Sequence, residues 1–92
     1  MALKDITRIE VKKAIDEYDE NDPEEMFNKY GGGPSRMYHL EYAGKYYPQK
    51  LIARVAHGFL PGKRPLNARG DGGGGTKSRK RLEELGFTII SN

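Results

Sequence analysis

The chain has 92 residues, which is enough for one domain with a thin core and too few for two. Apolar residues make up 36% and charged residues 32% of the sequence, and no stretch approaches the roughly 20 apolar residues of a membrane span. Cysteine is absent, which excludes disulfides and zinc–thiolate sites. The composition therefore predicts a single domain over residues 1–92, without a membrane partner or a cofactor, and it fits the cytoplasm.

The net charge of +3 conceals an uneven distribution along the chain. Residues 1–30 hold five Lys and Arg against nine Asp and Glu, whereas residues 31–92 hold eleven against four. An acidic first third and a basic remainder favour a polyanionic partner such as nucleic acid. A solvated surface with uneven charge explains the numbers equally well.

The first predicted helix covers about residues 8–19. Thr7 and Glu10 have the spacing of a capping box, which satisfies two backbone donors at a helix start. An apolar stripe at near-helical spacing follows, formed by Ile9, Val11, Ala14, Ile15 and Tyr18.

A second, short helix is predicted to begin at Asp22-Pro23 and to end at Gly31. Asp favours the cap position, Pro the first helical position, and Gly the stop. We expect the two helices to pack as an acidic helical hairpin over residues 1–30.

A β-hairpin is predicted over residues 36–47, after a glycine-rich connector. Two tyrosine-rich runs flank Ala43-Gly44, which has the composition of a tight turn. Pro48 cannot donate to a strand ladder and ends the second strand.

The remainder alternates between regular segments and a long loop. Apolar spacing predicts a third helix over about residues 49–57, and a basic Gly/Pro-rich loop fills residues 59–75. Thr76 is a suitable cap for a fourth helix over residues 77–85, and residues 87–90 form a strand that joins the hairpin. The predicted fold class is α+β, with four helices and a small three-stranded antiparallel sheet.

The strongest functional signal is the segment from Gly70 to Arg81, where a glycine run leads into a basic helix start. Free backbone amides and the helix dipole favour an anion at such a position. A solvated helix after a disordered loop is the simpler alternative. The segment departs from a P-loop because Thr76 separates the last glycine from Lys77. The candidate phosphate-binding residues here are Gly74, Gly75, Thr76, Lys77, Ser78, Arg79 and Lys80.

Further candidates lie outside this segment. Lys50, Lys63, Arg64 and Arg69 are predicted to contact phosphates, since a long basic loop is often functional. Tyr46 is a candidate for stacking on a base, although at least half of the hairpin tyrosines are expected to face the core.

Catalytic patterns are missing from the sequence. His39 and His57 have no acidic residues at metal-ligand spacing, so both are interpreted as structural, and no metal is predicted. Neither a cysteine nucleophile nor a nucleophile elbow occurs. The chain is predicted not to be an enzyme.

Several short motifs are similar to those of one known family. These are Tyr47, Lys50 and Ile52 in the pattern Tyr-x-x-Lys-x-Ile, the triplet Ala56-His57-Gly58, and Leu85-Gly86-Phe87 near the end. In this combination, over nearly the whole chain, the sequence resembles the N-terminal head domain of McrA-type HNH endonucleases, the ScoMcrA-like, modification-dependent restriction enzymes. Pro48-Gln49 stands where Asp-Ser is commoner in that family.

The resemblance implies a DNA-associated role in defence, with the nuclease in a separate HNH domain or subunit. The predicted function is a DNA-binding accessory module of a restriction nuclease, one that senses modified DNA. The alternative is a protein-interaction adaptor within a defence complex. A small phosphate-handling enzyme ranks third.

Overall fold

The computed structural model describes residues 5–31, 38–65 and 75–91, and for residues 75–77 only the backbone. Within these ranges it contains four helices and three strands, which confirms the predicted α+β class. In chain order they are α1 (Arg8–Glu20), α2 (Pro23–Tyr30), β1 (Tyr38–Tyr42), β2 (Lys45–Pro48), α3 (Gln49–His57), α4 (Gly75–Glu84) and β3 (Thr88–Ser91).

Helix α1 begins with the predicted capping box. The Thr7 backbone amide donates to the Glu10 carboxylate at 2.6 Å, and the Thr7 hydroxyl accepts from the Ile9 amide at 3.3 Å. The inclusion of Ile9 in the apolar stripe was wrong, because its side chain is 65% exposed. Successive residues turn by about 100° around a helix, which places Ile9 on the side opposite the buried Val11 and Ala14.

Helix α2 begins at Pro23 as predicted, although Asp22 makes no side-chain hydrogen bond at the cap position. Gly31 ends the helix with a φ of 82°, a conformation that favours glycine. The two acidic helices meet at Glu17, whose carboxylate accepts a hydrogen bond from the Tyr30 hydroxyl. The main packing partner of α1 is α3.

The three strands form an antiparallel sheet in the order β2-β1-β3. The two turn residues, Ala43 and Gly44, both have positive φ, which is typical of the two-residue turn that suits a right-twisted hairpin. Strand β3 joins the hairpin, as predicted; it pairs with β1, and Ile89 lies opposite Leu40.

The helices pack against one face of the sheet, where Leu40 and Tyr47 enter the core. The core also receives residues from α1, α2, α3, α4 and the segments beside them: Ile6, Val11, Ala14, Ile15, Met26, Leu51, Ile52, Ala53, Val55, Ala56, Leu82 and Phe87. Strand alternation directs the side chains of the intervening residues to the opposite face. We call this second surface the outer face; it carries His39, Glu41, Tyr46, Thr88 and Ile90, whereas Pro48, at the end of β2, is buried.

Two buried polar side chains hold the acidic helices in place. The guanidinium of Arg54, on α3, donates to the carbonyl oxygens of Tyr30 (2.8 Å) and Gly31 (3.2 Å) and so closes the end of α2. Burial lowers the pKa of Arg54. The Tyr47 hydroxyl donates to the Asp19 carboxylate at 2.9 Å, and burial together with this hydrogen bond raises the pKa of Tyr47 to about 12.

A glycine is needed at position 58, directly after α3, because the following loop packs closely against it. A Cβ atom at this position would lie 2.7 Å from the ring of Pro65, a distance that requires the backbone to shift. The His57 ring fixes the same loop, since its Nδ1 lies 2.7 Å from the Arg64 carbonyl oxygen. None of the helices within residues 5–31, 38–65 and 75–91 has the length and apolar character to cross a membrane.

Candidate nucleic-acid interface

The basic residues of α4 divide between three directions around the helix. Ser78 and Leu82 point inward and are buried, at 2% and 0% exposure. With about 100° between successive residues, Lys80 then points directly away from the core and Arg79 points to one flank. The structure agrees: Lys80 is exposed, and the Arg79 guanidinium lies 4.4 Å from the centre of the Tyr38 ring.

The Tyr38 contact places Arg79 at one end of the sheet. At this end β1 begins and β2 finishes, because His39, the second residue of β1, pairs with Pro48, the last residue of β2. Lys50 follows Pro48 by two residues, in the first turn of α3, and is exposed. We call Lys50, Arg79 and Lys80 the basic edge. The fold thus collects cations that are about thirty positions apart in the sequence.

Lys63 and Arg64 follow the far end of α3, which lies about 10 Å of helix away from Lys50 at a rise of about 1.5 Å per residue. Both are exposed. The Arg64 backbone is held by His57, and its guanidinium donates to the Pro65 carbonyl oxygen at 3.2 Å. These two residues therefore form a second basic group on an anchored loop.

The other predicted residues of the glycine-rich segment have different outcomes. Helix α4 begins at Gly75, so the predicted start at residue 77 with a Thr76 cap was two residues late. The side chains of Thr76 and Lys77 lie outside the described part, as do Arg69 and Gly74 entirely. Ser78 is 2% exposed, which withdraws its hydroxyl from any surface ligand.

Three acidic residues of α1 are paired with other cations. Lys12 bonds Asp16 at 2.6 Å, Lys29 approaches Glu17 at 3.4 Å, and Lys45 lies 4.0 Å from Asp19. Within the described ranges, the basic-edge residues form no ion pair with the acids of α1 and α2. The charge of that edge is therefore available to an external anion.

Arg81 and Arg8 are basic residues with structural contacts. Arg81 donates to the Ile6 carbonyl oxygen at 2.8 Å and lies 3.4 Å from Glu84. Arg8 donates to the Leu85 carbonyl oxygen at 2.6 Å and packs over the ring of Phe87. These contacts join the start of α1 to the end of α4, and sequence reasoning did not distinguish them from surface cations.

Tyr46 lies on the outer face and is 61% exposed. Its ring makes an edge contact with His39, with 6.4 Å between the ring centres, and its Cα partner on β1 is Glu41. Sequence reasoning missed both neighbours, although the two-residue turn predicted at Ala43-Gly44 implies this register. Among the described residues, no group of three His, Asp or Glu side chains converges as metal ligands do.

Comparison with known proteins gives one family and one solved structure. The family model for the ScoMcrA-like N-terminal head domain matches residues 4–91. The structure of the Type IV phosphorothioation-dependent restriction endonuclease ScoMcrA is similar, with a TM-score of 0.68 and 29% identity over 95% of this chain. The matched part is 13% of that much longer chain. No curated protein matches.

Proposed function

The chain belongs to the family of ScoMcrA-like N-terminal head domains, and we propose that it binds DNA as an accessory module of a restriction nuclease. The basic edge contacts the phosphates, and the loop carrying Lys63 and Arg64 extends the contact along the backbone. Arg69, Gly74, Gly75, Thr76 and Lys77 are proposed to contribute from the segment before and at the start of α4.

The observation that carries this proposal is the separation of the two kinds of charge. Lys50 and Arg79 lie near the same end of the sheet, and Lys80 follows Arg79 on α4. Among the described residues none of the three has an acidic partner, whereas Lys12, Lys29 and Lys45 each lie near a carboxylate. Unpaired cations at a common edge attract a polyanion, and the release of its counterions supplies most of the sequence-independent affinity. Arg79 is also held by the Tyr38 ring, so less side-chain entropy is lost on binding.

The similar solved protein bears the description of a phosphorothioation-dependent restriction endonuclease. That description supports two finer parts of the proposal. The domain serves a nuclease located in a separate domain or subunit, and the DNA that it meets carries a modification. The residues of this chain contribute affinity for phosphates and no chemistry of cleavage.

Binding of a short duplex, followed by fluorescence anisotropy from low to moderate salt, tests the proposal. We expect weak binding at low salt, with the logarithm of affinity falling linearly against the logarithm of salt by about 0.9 for each phosphate neutralised. Plain, methylated and phosphorothioated duplexes of one sequence form the three arms. A complete lack of binding at low ionic strength would refute a DNA-binding role, and equal affinity in all three arms would refute sensing of the modification by this domain.

A further inference from the structure

The outer face adjoins the basic edge and has a different chemistry. Its described residues include no lysine or arginine, and the aromatic side chain of Tyr46 is 61% exposed there. His39 belongs both to this face and to the strand end that forms the edge, next to Tyr38 and its Arg79 partner. The aromatic surface and the cationic one therefore lie on opposite sides of the sheet and meet at the end of β1, where His39 and Tyr38 are adjacent.

This division of charge corresponds to the two parts of a nucleotide. The phosphate is anionic and suits the basic edge, whereas the base is uncharged and presents a π-face that stacks on aromatic side chains. Glu41 strengthens the distinction, because it is the Cα partner of Tyr46 on the neighbouring strand and its negative charge repels a phosphate from the outer face. A base is thus the better-matched part of the ligand there.

We infer that the outer face binds an unpaired base through Tyr46 and His39, an inference that rests on the proposed function. The preferred ligand is then a single strand or a duplex with an unstacked nucleotide. A base within an intact duplex has both π-faces covered by its neighbours and cannot stack on Tyr46. The edge-on contact of His39 orients the Tyr46 ring and leaves the tyrosine 61% exposed.

The test compares four fluorescent oligonucleotides at one low salt concentration: a paired duplex, the same duplex with one unpaired base, a single strand, and an abasic strand with phosphates but no bases. We expect the single strand and the unpaired-base duplex to bind more tightly than the paired duplex and the abasic strand. Replacing Tyr46 by Ala should weaken the first two at least about fivefold, since one stacked base is worth about that much or more.

Matched variants separate stacking from other effects. Tyr46→Phe retains the ring and should retain the affinity, while Phe59→Ala removes a 36% exposed aromatic from the loop after α3 and should change none of the four affinities by more than about twofold. Tyr46→Ala should also leave the affinities for the paired duplex and the abasic strand unchanged, because phosphate contacts do not depend on the base.

Each outcome decides between the two proposals. If all four oligonucleotides bind and Tyr46→Ala weakens none of them, the inference is overturned while the phosphate-binding function stands; the outer face would then be available to a protein partner. If none of the four binds at low salt, the proposed function itself fails. A loss on Tyr46→Ala that is as large for the abasic strand would also overturn the stacking role.

Discussion

The acidic region formed by α1 and α2 and the basic edge differ in how their charges are used. In the acidic region, side chains are joined to one another: Glu17 accepts from Tyr30 and approaches Lys29, and Asp19 accepts from Tyr47. The cations of the basic edge make no such ion pairs in the described part of the chain. Charges of the first kind stabilise the fold, and charges of the second kind are free to bind a ligand.

The difference means that the count of charges along the sequence is a poor guide to function. Eleven Lys and Arg follow residue 30, yet Arg54 and Arg81 are committed to backbone carbonyls and Lys45 lies near an acid. The basic edge of the proposed binding surface draws on cations that have no such contacts among the described residues, namely Lys50, Arg79 and Lys80. Substitutions should therefore divide into those that change stability and those that change affinity.

The largest effect on stability is expected at Arg54. Arg54→Met fills similar space but leaves the Tyr30 and Gly31 carbonyls without their donor, at a cost of about 3 kcal/mol for charged hydrogen bonds. Urea unfolding measures the loss. Arg54→Lys is the control and should lose less, because one donor can remain. Below the unfolding transition, DNA affinity and its salt dependence should stay unchanged. A large loss of affinity in the folded variant would contradict the separation of residues that stabilise the fold from residues that bind DNA.

The next effect is a dependence of stability on alkaline pH through Tyr47. Its pKa in the folded protein, about 12, exceeds the ordinary value of 10.0, so its contribution is complete below pH 10 and is lost as the pH rises to 12. The loss amounts to about 2 to 3 kcal/mol for a group that is 2% exposed.

Tyr47→Phe provides the matched comparison. The variant lacks the hydroxyl, so the stability advantage of the wild type should shrink by about that amount between about pH 8 and pH 12. Unfolding curves for both proteins at each pH measure the difference, and Tyr18 and Tyr30, whose pKa values are also raised, cancel because both proteins contain them. A constant difference across this range would be inconsistent with the Asp19 hydrogen bond.

A smaller effect, on affinity, distinguishes the two regions directly. Lys50→Glu should weaken DNA binding several-fold on all sequences and reduce the salt slope by about 1, as the loss of a phosphate contact does. Lys29→Glu makes the same change of charge at an exposed position on α2, where Lys29 neighbours Glu17. It should leave the slope unchanged. Equal losses from the two variants would mean that net charge, and not the basic edge, determines binding.

The smallest effect is expected at an exposed ion pair on α1. Lys12→Gln breaks the 2.6 Å contact with Asp16, in which both side chains are about half exposed. Such a pair one helical turn apart stabilises by about 0.3 to 0.5 kcal/mol. A change in the urea midpoint near the limit of detection and an unaltered DNA affinity are the expected results. A loss above about 1 kcal/mol would show that the pair belongs to a larger network.

The sequence was sufficient for most of the local structure. The Thr7–Glu10 capping box and the span of α3 follow from residues close together in the chain, and both are present. Two of the failures involve long-range geometry. Ser78 was predicted to donate a hydrogen bond to a ligand, but the packing of α4 buries its side chain. The Arg79–Tyr38 contact depends on how α4 lies against β1. The register that makes Tyr46, Glu41 and His39 neighbours is set locally, by the two-residue turn at Ala43-Gly44, although sequence reasoning did not extend the turn to these pairs.

The central claim is that DNA meets the basic edge and not the acidic helices, and amide chemical-shift mapping with a short duplex at low salt tests it most directly. We expect shifts concentrated in the first turn of α3, in α4 around Arg79 and at the start of β1, with α2 unaffected. Shifts centred on α2 and the end of α1, or none at all under these conditions, would contradict it.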